Sequence, residues 1–216
     1  MDLTALIPVS SIEVRLGKPL RQDAQSPGNS RELAKVDSDD LMGIALYSWH
    51  RVVESGKYDV EPTSIGPLID KDDPVALADF IEQTIGRPLF VEAGVMDAFA
   101  EHRKKEFKTA TSCAAVLFTG ELHLYDIAMA DPRHVIPTAR RQSPSQEYRG
   151  FGLLSEVIEN VYLAASERGC ELVSLTAAWL PLVPIFERHG LEVEDSNLAR
   201  GAMKFGSGIP MLRRVL

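Results

Sequence analysis

Between Gln146 and Leu154 the chain reads Gln-Glu-Tyr-Arg-Gly-Phe-Gly-Leu-Leu, which sets an arginine and two glycines directly ahead of an amphipathic run ending at Arg168-Gly169. Along that run Leu153, Leu154, Val157, Ile158, Val161, Tyr162 and Ala165 recur at helical spacing. Ser155, Glu156, Glu159, Asn160 and Glu167 face the other way, and Gly169 falls where a C-terminal cap belongs. A turn that opens a helix presents unpaired backbone N–H groups at the positive end of the helix dipole, and glycine lets an anion come close. The chemistry this spacing predicts is phosphate binding. No Lys-Ser/Thr follows the glycines, as a P-loop would require, so a nucleotide enzyme of that kind is disfavoured.

A second chemical residue is Asp126, which stands in the apolar, strand-forming run Glu121 to Ala130. A carboxylate there is costly to bury unless it is hydrogen-bonded or put to use. Alternation sets Asp126 on the side of Ala128 and Ala130, opposite Tyr125, Ile127 and Met129. The run Glu171 to Ala177 also reads as a strand, so the glycine turn sits in a strand-loop-helix-strand unit. Its right-handed crossover places the turn at the end of a parallel or mixed sheet.

These residues resemble the acyl-CoA site of the GNAT superfamily of N-acetyltransferases, whose signature is Arg/Gln-x-x-Gly-x-Gly/Ala at the start of a helix. Arg149-Gly-Phe-Gly152-Leu-Leu154 matches the arginine and the first glycine, and carries Leu154 where a small residue is usual. Downstream, Pro184-Ile-Phe-Glu-Arg-His-Gly-Leu-Glu192 resembles the family's late helix. Upstream, Leu124 to Pro132 resembles its central strand and following proline. The resemblance covers about the last half of the chain, and the first half only by the order of elements.

It implies an α/β fold of the α+β kind: a mixed, mostly antiparallel sheet flanked by helices, with Glu121–Ala130 and Glu171–Ala177 adjacent, parallel and splayed at their C-terminal ends. It also implies acetyl-CoA as cosubstrate without a metal, and an amine of a small molecule or protein as acceptor. Arg149, Gly150, Phe151, Gly152, Leu153 and Leu154 would hold the acyl carrier, and the backbone at Ile127, Ala128 and Met129 would face the oxyanion. Asp126 is the best-placed base, with Glu121 and His123 behind it. Phe186 falls where many relatives carry a tyrosine beside the departing sulfur, which leaves His189 or water to return the proton. The alternative is a GNAT-fold protein that has kept the fold without the reaction and acts as an interaction or structural component.

Composition narrows the field further. The 216 residues suit one domain, 31–216, behind an N-terminal extension, 1–30. A net charge of −8 argues against a nonspecific nucleic-acid binder, with Arg133, Arg140 and Arg141 a local exception. The sequence carries neither a signal-peptide pattern nor an apolar run long enough to span a bilayer, so a cytoplasmic protein without membrane contact is expected. Cys113 and Cys170 lie in apolar contexts that suit buried thiols.

In chain order, Ile12–Leu16 reads as a strand and is followed by a turn-rich stretch, Pro19–Asn29, after which Glu32–Val36 resembles the family's opening strand. Asp37 to Asp40 cap a helix from about Asp39 to Ser55, and the loop Gly56–Lys71 is a candidate substrate lid. A helix follows with Asp73 as cap, Pro74 at its first position and Gly86 as stop. Leu89–Ala93 reads as a strand, Asp97–Lys108 as a charged helix or excursion, and Ser112–Phe118 with Glu121–Ala130 as a hairpin. His134–Ser145 is a polar, proline-rich insertion. Leu191–Glu194 and Arg200–Phe205 read as closing strands, and the apolar, basic tail from Ile209 docks on the domain or on a partner, as in a homodimer.

Overall fold

A computed structural model of the protein describes residues 1–102, 104–141 and 146–215. The elements run α1 (Val9–Leu16), β1 (Arg21–Gln25), α2 (Ser30–Val36), α3 (Ser38–Ser55), α4 (Gly66–Ile69), α5 (Pro74–Ile85), β2 (Phe90–His102), β3 (Lys105–Leu117), β4 (Glu121–Met129) and β5 (Asp131–Val135). They continue with β6 (Tyr148–Arg149), α6 (Leu154–Glu167), β7 (Leu172–Trp179), α7 (Val183–Glu187), β8 (Glu192–Val193), α8 (Asn197–Phe205) and β9 (Ser207–Arg214). Seven strands form one sheet in the order β1-β2-β3-β4-β7-β9-β8, while β5 and β6 make a separate ribbon. Within the large sheet every pairing is antiparallel except β4 with β7.

Alternation along the strands splits the core into two layers. Ala114, Leu122, Leu124, Val173, Leu175, Ile209 and Met211 face the helix side occupied by α6 and α7. Ala93, Val95, Cys113 and Ala115 face α3 and α5. The first thirty residues are built into these layers: Leu3 and Leu6 are buried beside α6, and β1 pairs along β2. Gly94 makes room for them, because a Cβ there would lie 2.6 Å from the carbonyl carbon of Leu3.

Where local signals are complete, the elements form as their sequences predict. The side chain of Asp37 accepts from the N–H groups of Asp39 and Asp40 and starts α3, and Asp73, Pro74 and Gly86 bound α5. The lid candidate 56–71 is a connection holding only a 3-10 turn and α4. Four expectations are corrected. Ile12–Leu16 is helical, since Ile12 and Leu16, four apart, are buried while Val14 is 81% exposed. Glu32–Val36 lies in α2, capped by the Asn29 side chain on the Glu32 N–H. The described residues of Asp97–Lys108 belong to the long β2–β3 hairpin, where Met96, Ala98 and Ala100 are buried at a period of two. Arg200–Phe205 is the end of α8, capped by Ser196 and stopped by Gly206 at φ 79°; the tail that follows is β9, seated between β7 and β8. The end of the polar insertion, 142–145, lies outside the described residues; His134 and Val135 finish β5, and 136–141 follow it with a 3-10 turn at Thr138–Arg140.

One polar contact crosses the α3 layer. Arg51 of α3 donates from Nε and Nη2 to the two carboxylate oxygens of Glu121 at 2.9 and 2.7 Å, and from Nη1 to Glu194 at 3.0 Å. Both acids are nearly closed to solvent. Replacing Arg51 by Met should cost about 3–5 kcal/mol, because it strands the buried Glu121 carboxylate without its partner and leaves Glu194 with His50 alone. Urea denaturation at neutral pH measures this directly.

Candidate functional site

The site arises where β4 and β7 part. Their parallel ladder runs from Glu121 opposite Leu172 to Leu124 opposite Leu175 and stops there. Beyond it β4 keeps β3 and β7 keeps β9, so the two strands border a gap. Exposure changes at the same level: Glu121 to Leu124 are buried, whereas Tyr125 to Met129 are partly or fully exposed. These are the adjacent, parallel, splayed strands that the resemblance implied.

A bulge accompanies the parting. Cys113 pairs with Asp126 and Ala114 with Leu124, which leaves Tyr125 as the extra residue. Simple alternation therefore fails at this point, and Asp126 does not lie opposite Tyr125 as the sequence suggested. The Tyr125 ring occupies the space a side chain on Gly43 of α3 would need. Asp126, paired with Cys113, faces the same helix at its N-terminal end.

The electrostatics here are acidic. Burial raises the Asp126 carboxyl pKa, the Ile127 N–H that it accepts from opposes this, and Asp37 and Asp97 push it up again. Asp40, buried in the first turn of α3, is pushed up to about 7, by burial first and then by Asp37, Asp126 and Asp97, against a hydrogen bond with Cys113. Tyr125 is pushed up to about 12 by burial and by Asp40 and Asp126. Burial likewise lifts the Cys113 thiol well above its ordinary range, so it is no thiolate nucleophile.

The gap is also lined by backbone. The Ala130 N–H donates to the Thr109 carbonyl on β3, so alternation turns the Met129 N–H away from β3, toward the gap. The Ile127 N–H is taken by Asp126. Gly150 lies over the Met129 carbonyl, 3.2 Å from where its Cβ would stand, so the glycine turn closes over the open end of β4. Gly152 adopts φ 68°, a left-handed conformation that favours glycine, and Leu153 offers no side chain to cap α6. The first N–H groups of α6 are thus left without a side-chain cap. Arg149 is exposed and has no acidic partner among the described residues. It borders a cleft of about 630 Å³ together with Gly150, Arg133, His134, Arg140 and Gln146.

The other expected residues divide clearly. Phe151 and Leu153 are buried among Ile7, Ile12 and Leu16, so only their backbone is available; Arg15 holds the Phe151 carbonyl at 2.5 Å. Leu154 packs at the edge of the α6 core, and the Phe186 ring is buried within it. Ala128 is exposed in the open stretch of β4. Glu121 lies at the closed end, fixed by Arg51. His123 is fully buried at that end, its ring stacked 3.8 Å from Tyr47 and its Nδ1 3.0 Å from the Ser174 hydroxyl. Burial pushes its pKa down to about 3, which leaves it neutral. The His189 carbonyl accepts from Arg213, whose strand position pairs with Val173, so His189 also sits at the level of the closed end. Of the four acid–base candidates, only Asp126 borders the open part of β4.

Sequence reading passed over Asp40, Tyr125, Gly43 and a cleft of about 760 Å³ on the α3 side of the gap, bordered by Tyr125, Thr176 and Pro210. The signal for Asp40 was present but was spent on helix capping, and the cleft joins segments far apart in sequence. Among the described residues no group of His, Cys, Asp and Glu could hold a metal, and no helix is long and apolar enough to cross a membrane.

No protein-family model matches the chain, and no curated protein matches it. Solved structures resemble the chain only at low similarity. A nourseothricin acetyltransferase is 16% identical with a TM-score of 0.37, over 57% of this chain and 66% of that one. An acetyltransferase of Bacillus subtilis in complex with CoA is 9% identical with a TM-score of 0.36, over 67% and 86%. A GNAT-family acetyltransferase of Staphylococcus aureus is 11% identical with a TM-score of 0.39, over 91% and 100%.

The raised Asp40 carboxyl gives a pH dependence with a definite sign. Its folded-state pKa lies above the unfolded value near 4, so its stabilising contribution is full below about pH 4 and is lost as pH rises through about 7. Asp40→Asn should flatten the stability slope across that window and leave the variant more stable than the parent at pH 8. Thermal midpoints taken from pH 4 to 8 check it.

Proposed function

We propose that this chain is an acyl-CoA-dependent N-acyltransferase that moves an acetyl group from acetyl-CoA to an amine. The observation that carries the reading is the parallel β4–β7 pair, which parts after Leu124 and Leu175 beneath a glycine turn at an uncapped helix N-terminus. A strand gap of this kind accepts an extended pantetheine arm and offers it backbone groups. The turn and Arg149 suit the pyrophosphate by their N–H groups and charge. The neighbouring cleft, with Arg140 on its wall beside an Arg133 whose guanidinium is held by Asp131, suits the remaining phosphate of the carrier through Arg140.

In this reading Asp126 takes a proton from the acceptor ammonium, directly or through water. The free amine adds to the thioester carbonyl, and the Met129 N–H faces the oxyanion. The C–S bond then breaks, and the departing thiolate is protonated at the expense of the amine nitrogen. A carboxylate with a raised pKa is the stronger base for the first step, which gives Asp126 the advantage over an exposed acid.

The competing reading, a GNAT-fold protein without turnover, is favoured by one observation: Phe186, at the position expected to supply a hydroxyl, is buried in the α6-side core. Calorimetry with CoA separates the two at the first step. Gly152→Asp, which places a carboxylate beside the uncapped N–H groups and strains a left-handed residue, should abolish binding while the parent binds. No binding by the parent favours the second reading.

Turnover provides the sharper test. Asp126→Asn should lower kcat by on the order of a hundredfold with the affinity for CoA unchanged. In the parent, kcat should rise with pH through an apparent pKa above that of an ordinary carboxylate. An assay of thiol release across pH reads both; unchanged kcat in the variant removes Asp126 from the mechanism.

A further inference from the structure

Resting on that reading, we infer that the amine acceptor is a monoamine with an uncharged apolar body, and that free amino acids and polyamines are rejected. The inference comes from the cleft of about 760 Å³ on the α3 side of the strand gap, a volume suited to a small organic molecule. Its walls are made by Leu46, Trp49 and Val53 of α3, Ile65 of the 56–71 connection, Leu198 of α8 and Pro210 of β9. Tyr125 and Thr176 form its end at the gap, and Tyr125 is the residue before Asp126 in β4 and lies within reach of its charge.

Charge decides what those walls admit. The lining contains neither lysine nor arginine. Its ionisable side chains besides the tyrosines are His50, which is held by Glu194 at 3.1 Å, and Glu54, which is exposed at the far end of α3. The nearby arginine, Arg51, is already committed to Glu121 and Glu194. A ligand carboxylate would therefore be desolvated against apolar walls with no cation to receive it, beside the acidic group of Asp37, Asp40, Asp97 and Asp126. A polyamine fails for the converse reason. After its reacting nitrogen is placed at the Tyr125 end, its further ammonium groups would lie along Leu46, Trp49 and Leu198, with Glu54 the one unpaired carboxylate in the lining. An aryl or alkyl body loses nothing there and gains by leaving water.

Leu46 and Leu198, which are 37% and 47% exposed, fit the same account: apolar side chains held at the mouth of a cleft without a protein partner covering them. They also supply variants that leave the interior packing alone.

The test uses three probes of related size and different charge: 2-phenylethylamine, phenylalanine and spermidine, each titrated calorimetrically into the whole protein without CoA. The expected order is saturable binding of 2-phenylethylamine, at least tenfold tighter than either other probe, and a loss of about tenfold or more for 2-phenylethylamine in Leu198→Lys. CoA titrated into Leu198→Lys should bind as it does to the parent. Phenylalanine or spermidine binding as tightly as 2-phenylethylamine, no saturable binding of any probe, or no effect of Leu198→Lys overturns the inference. A Phe-containing tripeptide amide that binds better than 2-phenylethylamine overturns it in favour of a peptide acceptor. Amine binding is read without the carrier, so failure of CoA to bind would count against the acyltransferase reading alone and leave the assignment of the cleft standing.

Discussion

Arg51 fixes the geometry from which the site departs. Two carboxylates, Glu121 of β4 and Glu194 just after β8, converge on one guanidinium delivered by α3, all of it largely out of water. In so poor a dielectric the Glu121 carboxylate and the guanidinium need one another, Glu194 being shared with His50, and the planar fork restricts the relative placement of helix and strand. The Arg51 ring of contacts extends upward through Tyr47, which lies under the guanidinium at 5.2 Å and stacks on His123. The closed end of the β4–β7 pair is thereby held against α3. What happens above it, where the strands part, is a departure from a fixed base, and α3 can carry Gly43 and Asp40 to the same height on every molecule.

Above that base the chemistry is one of crowded acids. α3 begins among Asp37, Asp39 and Asp40, which its dipole welcomes, and the bulge brings Asp126 up against the same end. Burial and the nearby charges of Asp37 and Asp97 raise the proton affinity of Asp40 and Asp126, and burial together with the same field keeps the neighbouring thiol of Cys113 neutral. The neutral form of Asp40 is the natural partner of an ionised Asp126, since the two charges disfavour each other in a half-buried space. An apolar cleft alongside then gives the site two halves of opposite character, one for charge and one for bulk.

Much of this was legible in the residues because it is written locally. The cap of α3 at Asp37, the Asp73-Pro74 start and Gly86 stop of α5, the β3–β4 hairpin and the run from Gly152 into α6 are each set by neighbours a few positions away, and all appear. Short apolar segments were not legible, because five residues such as Ile12–Leu16 cannot distinguish a period of two from one of 3.6. The α8 segment misled for a similar reason, its cap at Ser196 lying outside the window that looked like a strand. The site was half visible. Asp126 and the glycine turn announce themselves by type and context, whereas the side of the strand that Asp126 takes depends on a bulge, and the fate of Glu121 depends on Arg51, 70 positions away. No pattern in a single stretch carries such facts.

The position of β9 bears on how the chain can assemble. β8 precedes it in sequence, yet its place in the sheet is on the outer edge of β9, which in turn lies on β7. A two-residue strand has almost nothing with which to hold itself in place, so it waits for the later segment to dock first. The stretch between α7 and α8 therefore gains its place in the sheet only through the later segment β9. β1 makes a similar demand, since its partner β2 comes only after α2, α3 and α5 have intervened. Long closures of this kind put the barrier to folding in topology more than in local propensity, and they set a slow, sequential acquisition of the native sheet against the fast formation of its helices.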